Sequence, residues 1–121
     1  MSKQEFLFFL KDNIDEITLI TTLNDTLGFK IASDLYRAPN SAGFAQITTF
    51  DVGFKCGCFV TYIGKDKINE HIIARDLAKK FQCELIFEMK ASDKWLHVQP
   101  SGEQREVTVI DIDVGVDIAP D

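Results

Sequence analysis

The last nineteen residues, Glu103 to Asp121, alternate valine and isoleucine with aspartate, and this alternation constrains the chain more than any other stretch. Successive side chains of a strand point to opposite faces, so a period of two ties one face to a core and leaves the other to water. Six acids (Glu103, Glu106, Asp111, Asp113, Asp117, Asp121) and one base (Arg105) give the segment a balance of -5, against -6 for the whole chain. The residues before Glu103 are therefore nearly neutral. Val107 and Val109 have one parity, whereas Ile110, Ile112, Val114, Val116 and Ile118 have the other. A phase change of one residue predicts a bulge or a strand with both faces partly covered. Asp111, Asp113 and Asp117 then stand in a row along one face.

At 121 residues, 45% of them hydrophobic, the chain has the size and apolar content of a single domain, 1-121, around one core. Ser2-Lys3-Gln4-Glu5 has the form of a capping box, and Phe6, Phe9, Leu10, Ile14 and Ile17 follow at three- and four-residue spacing, which predicts a first helix. Ile17 to Leu23 is rich in β-branched residues, yet Leu23, Leu27 and Ile31 also keep helical spacing, so a short helix before Gly28 is open. Phe29 to Arg37 and Phe44 to Asp51, separated by the turn residues of 38–43, predict a hairpin. Phe54 to Ile63 carries apolar residues on both faces, the pattern of a central strand.

Asp66 or Asn69 can cap the next helix, with Ile68 and Ile73 as a hydrophobic staple if Asn69 is the cap. Ile73, Ala74, Leu77, Ala78 and Phe81 share one helical face there. Glu84 to Met89 and Lys94 to Gln99 predict an antiparallel pair in which Leu85, Phe87, Met89, Leu96 and Val98 face the helix. Glu84, Ile86, Glu88, Trp95, His97 and Gln99 then face away. The expected fold is α+β: an antiparallel sheet with two main helices packed on it, in the order α-β-β-β-α-β-β-β.

The longest apolar run, Phe6 to Leu10, is far short of the roughly 20 residues of a membrane helix, and no secretory signal pattern occurs, so a cytoplasmic protein away from membranes is expected. Three cysteines without framework spacing suit a reducing compartment. A pI near 4.8 argues against direct binding to nucleic acid, which demands Lys and Arg, and favours a basic protein partner.

Candidate chemistry is sparse. Asp111 to Asp117 superficially looks like a calcium loop, but Ile and Val at strict alternation want a pleated strand rather than a curled loop. Cys56 and Cys58 share a strand side, and Cys83, His71 and His97 complete an imaginable zinc set; the apolar flanks make core packing the better reading. A cysteine nucleophile with His71 or His97 as base would need a spatial contact that spacing does not supply. No phosphate loop, dinucleotide fingerprint or hydrolase motif occurs, so neither a cofactor nor a catalytic residue is expected. Trp95, on the outward face with His97, Glu84 and Glu88, would form an aromatic anchor within an acidic rim. With Asp111, Asp113 and Asp117 these residues make up the expected partner-binding set.

Phe54 to Ile63 leading into the helix of Ile68 to Phe81, then Glu84 to Met89, Trp95-Leu96-His97-Val98-Gln99-Pro100-Ser101-Gly102 and a charged last strand, resembles the bacterial immunity proteins of contact-dependent and polymorphic toxin systems. The resemblance lies in size, charge and element order. It implies a protein that binds a toxin domain, commonly a nuclease, and blocks its basic site, as a monomer or homodimer. Type III secretion chaperones are similar in size, charge and element order, and imply instead a dimer holding an extended effector segment. A small enzyme with an unrecognised site is the third class.

Overall fold

The computed structural model describes residues 2–64, 68–112 and 115–120. Its first element corrects the expected order, because Ser2–Leu10 is a strand, β1, and not a helix. Phe6, Phe8 and Leu10 enter one core cluster and Phe9 a second on the opposite face. A run that is apolar on both sides fits a central strand as well as a helix, and spacing does not separate the two. The first helix, α1 (Glu16–Leu27), comes later, with Asp15 as N-cap accepting from Thr18 N–H at 3.0 Å. It buries Leu19, Ile20 and Leu23 on one face, so packing outweighs the β-branched composition of 17–23.

The expected 29–51 hairpin does not form. β2 is only Ile31–Ala32, and it pairs parallel with β3 (Gly43–Thr49). Contacts to α1 explain the shortness. The Asn24 side chain donates to Ile31 O at 3.1 Å and accepts from Ile31 N–H at 2.9 Å. The Glu16 carboxylate takes the Ser33 hydroxyl at 2.6 Å and the Leu35 N–H at 2.8 Å, which curls the chain away from the sheet.

β4 (Val52–Gly53) precedes β5 (Cys56–Gly64), which lies between β3 and β1 as a central strand. α2 (Glu70–Phe81) follows, with Asn69 as its cap and Ile68 and Ile73 both packed on the core; the alternative cap, Asp66, lies outside the described residues. β6 (Leu85–Glu88) and β7 (Trp95–Val98) form the expected antiparallel pair. The last stretch is three strands: β8 (Gln104–Val107), β9 (Val109–Ile112) and β10 (Gly115–Ile118).

Seven strands join in the order β2-β3-β5-β1-β6-β7-β8, antiparallel except for β2 with β3, and a separate sheet runs β4-β10-β9. Both helices pack on one face of the large sheet, around Phe6, Phe8, Phe87, Leu85 and Val98. The small sheet packs on the other face, where Phe54 and Val116 meet Phe9 and Ile86. Phe54 therefore belongs to the second core rather than to the helix side of β5, its N–H donating to Val116 O at 2.8 Å. The phase change near Ile110 marks the point where the chain leaves the edge of the large sheet after Val107 and enters the small one at Val109. The fold is α+β with two helices, as expected, in the order β-α first. No described helix is long and apolar enough to cross a membrane.

Candidate functional site

The face of the large sheet away from the helices is only half covered. Alternation along each strand brings Lys3, Glu5, Leu7 and Phe9 of β1, Gly57, Phe59, Thr61 and Ile63 of β5, and Phe44, Gln46 and Thr48 of β3 to this side. The small sheet seals the part around Phe9, Ile86 and His97. Phe9 forms the border: its ring centroid lies 6.0 Å from Phe50 and 5.8 Å from Trp95, and it rests on Gly57, where a Cβ would come within 2.7 Å of its Cε2. Beyond this border Phe44, Phe59 and Ile63 are 46%, 36% and 58% exposed. Three large apolar side chains together on a sheet face mark an interaction surface more strongly than scattered ones would.

The expected partner-binding residues divide between this surface and the interior. Glu88 and Trp95 stand directly opposite each other on β6 and β7, and both are half-buried. Trp95 thus packs against the second core, its indole beside Phe9. His97 is buried, 4% exposed, which corrects its expected place at an interface. Arg105 Nε–H donates to its Nδ1 at 3.3 Å, so that nitrogen keeps its lone pair and the proton sits on Nε2, which donates to Glu84 Oε1 at 2.8 Å. The Phe54 ring closes over the imidazole at 6.3 Å. With both nitrogens engaged, His97 has no free site from which to activate a nucleophile. Its bonds instead clamp β7 to β8 and to the residue before β6.

The row of aspartates is broken by topology. Asp113 lies outside the described residues, and Asp111 is described only as a backbone position. Asp111 pairs with Val116 and Asp117 with Ile110, on opposite arms of the β9–β10 hairpin rather than along one strand. Asp117 is half-exposed, accepts from Ile118 N–H at 2.9 Å and lies 3.9 Å from Lys11 Nζ, which also sits 4.8 Å above the Phe54 ring. A long ion pair of this kind is weak and leaves Asp117 open to competition from another cation. Among the described residues, no group of three or more His, Cys, Asp or Glu side chains is arranged to hold a metal ion.

Cys56, Cys58 and Cys83 are free and buried. Burial pushes all three thiols up from their ordinary value, Cys58 the furthest. A nucleophilic thiolate needs the opposite shift. Native protein at pH 8 is expected to react slowly with a thiol-specific disulfide reagent, and fully once denaturant is added; rapid reaction of the folded chain would contradict the burial. The same shift sets a pH dependence. Below the unfolded thiol value of about 8.5 both states hold the proton, whereas above it the unfolded chain ionises and the folded one does not. Stability is therefore expected to fall as pH rises beyond about 8.5, measured as the urea midpoint across an alkaline series.

Phe59 and Ile63 lie on one of the two apolar faces that the Phe54 to Ile63 pattern predicts, but the openness of that face is not legible in the stretch itself. The only signal was the absence of a further amphipathic element to cover it. Compared with known proteins, the chain matches no family model, no curated protein and no solved structure.

Proposed function

We propose that the chain is a small acidic protein-binding protein of the immunity type, which docks on a cationic toxin domain such as a nuclease and blocks its basic site. The observation that carries this reading is the distribution of charge: -5 of the net -6 falls from Glu103 onward, the part of the chain that contains β8, β9 and β10. A concentration of carboxylates in one part of the chain speeds encounter with a basic surface and competes for the groups that would hold phosphate. Glu88 beside the half-exposed Trp95 adds an apolar anchor with an acidic neighbour. Cytoplasmic residence belongs to the same proposal, since the target acts there.

The test uses the protein encoded by the neighbouring gene, because an immunity gene normally adjoins its toxin. Changing Asp111, Asp113 and Asp117 together to asparagine is expected to weaken binding about tenfold or more and to flatten its salt dependence, with the circular dichroism spectrum unchanged. Unchanged affinity would remove the acidic-docking mechanism. The open apolar face favours a second reading, a chaperone holding an extended effector segment, and that reading expects binding to survive the triple change but to be lost with Phe59→Glu.

A further inference from the structure

We propose that the uncovered part of the back face closes against the same part of a second copy, about a two-fold axis lying across the strands. Two neighbouring rungs make the surface self-complementary. The first holds Phe44, Thr61 and Glu5, paired in register across β3, β5 and β1. The second holds Ile63 and Lys3, paired in register, with Ala42 beside Ile63, whose N–H donates to Ala42 O at 2.9 Å. An axis midway between them lays each rung on the other, so that Glu5 meets Lys3 of the second copy, Thr61 meets Ile63, and Phe44 meets Ala42. The two charged contacts are repeated by symmetry.

Shape and charge both fit this occupant. Phe44 is 46% exposed, and it borders a shallow, open depression of about 400 Å³ with Ala42, Thr61 and Ile63, on which the second copy's Phe44 ring can rest. Lys3 and Glu5 are exposed, are not ion-paired to any described residue, and cancel each other's charge. On a chain of net charge -6, a neutral apolar face is where a second copy meets least repulsion. A cationic partner is drawn to the acidic hairpin instead. Sheet extension at β2 is closed, because the Asn24 side chain already holds both the N–H and the C=O of Ile31. At this end of the sheet the contact left to a second copy is stacking of faces about 10 Å apart.

The interface is small, so dissociation on dilution is expected. Sedimentation velocity of the full chain from about 5 to 500 µM is expected to show the 13.7 kDa monomer giving way to a species of twice that mass. Lys3→Glu and Glu5→Lys each place like charges together twice and are expected to raise the dissociation constant about tenfold or more, while the double exchange restores it. Phe44→Ser is expected to leave a monomer with unchanged circular dichroism. A wild-type monomer throughout the range overturns the proposal, as does a dimer unaffected by Phe44→Ser or by the single charge changes, or a double exchange that fails to restore association. Toxin binding is measured separately, so the two readings stand or fall independently.

Discussion

Phe87→Ala is expected to lower the melting temperature by about 10 °C or more, a larger effect than any exposed substitution in this chain produces. Phe87 is fully buried, with its ring stacked at 5.6 Å on Phe6 and 6.0 Å on Phe8, and those rings lie 6.2 Å from each other. The three come from strands that pair directly, β1 and β6 (Phe8 opposite Phe87), so the surrounding backbone cannot collapse into the space left behind. Removing such a ring costs about 3–5 kcal/mol, a large share of the roughly 5–15 kcal/mol that holds a domain of this size together. Phe44→Ala is the control. With its ring 46% exposed, a shift of less than about 0.5 kcal/mol is expected. A thermal melt followed by circular dichroism separates the two, and equal losses would mean that Phe44 is covered within the folded monomer.

Gly43→Ala is expected to be of similar size by a different route. A Cβ at this position would lie 2.1 Å from Thr61 O and 2.6 Å from Tyr62 Cα, both backbone atoms of β5. Gly43 is flanked by Tyr62 on one side and Ile31 on the other, so the strand cannot shift away without breaking a ladder. A side-chain tip could turn aside; main chain paired on both sides cannot. A loss of about 3 kcal/mol or more is expected. Hydrogen exchange gives the specific signature, with protection lost in β2 and β3 while β6 and β7 stay protected. Uniform loss across the sheet would show instead that the β3 edge and the β6–β7 region open as a single unit.

Much of the fold was legible in residue order. Asn69, the Ile68 and Ile73 pair and the Ala74, Leu77, Ala78 stripe specify α2 by local chemistry alone, and all of them lie where helical periodicity puts them. The β6–β7 pair was equally legible, since Leu85, Phe87, Leu96 and Val98 turn to the helices in register. β1 was not, because Phe6 to Leu10 is apolar on both faces and its spacing satisfies helix and strand alike. What decides it is the pairing of nine consecutive residues with β5, from Ser2 opposite Gly64 to Leu10 opposite Cys56, far along the chain.

The candidate site divides in the same way. Glu88 and Trp95 share the back face as period two requires, but whether that face meets water depends on an element their own stretch does not contain. The small sheet covers His97 and part of Trp95 and leaves Phe44, Phe59 and Ile63 open. The charge and the alternation of Glu103 to Asp121 are legible from residue order alone, since both are properties of neighbours in the chain. The division of the stretch between two sheets, the placing of Asp111 and Asp117 on opposite arms of a hairpin, and the bare half of a sheet face come from contacts between distant segments. Periodicity reports which side of an element is apolar, whereas long-range packing chooses what lies against it.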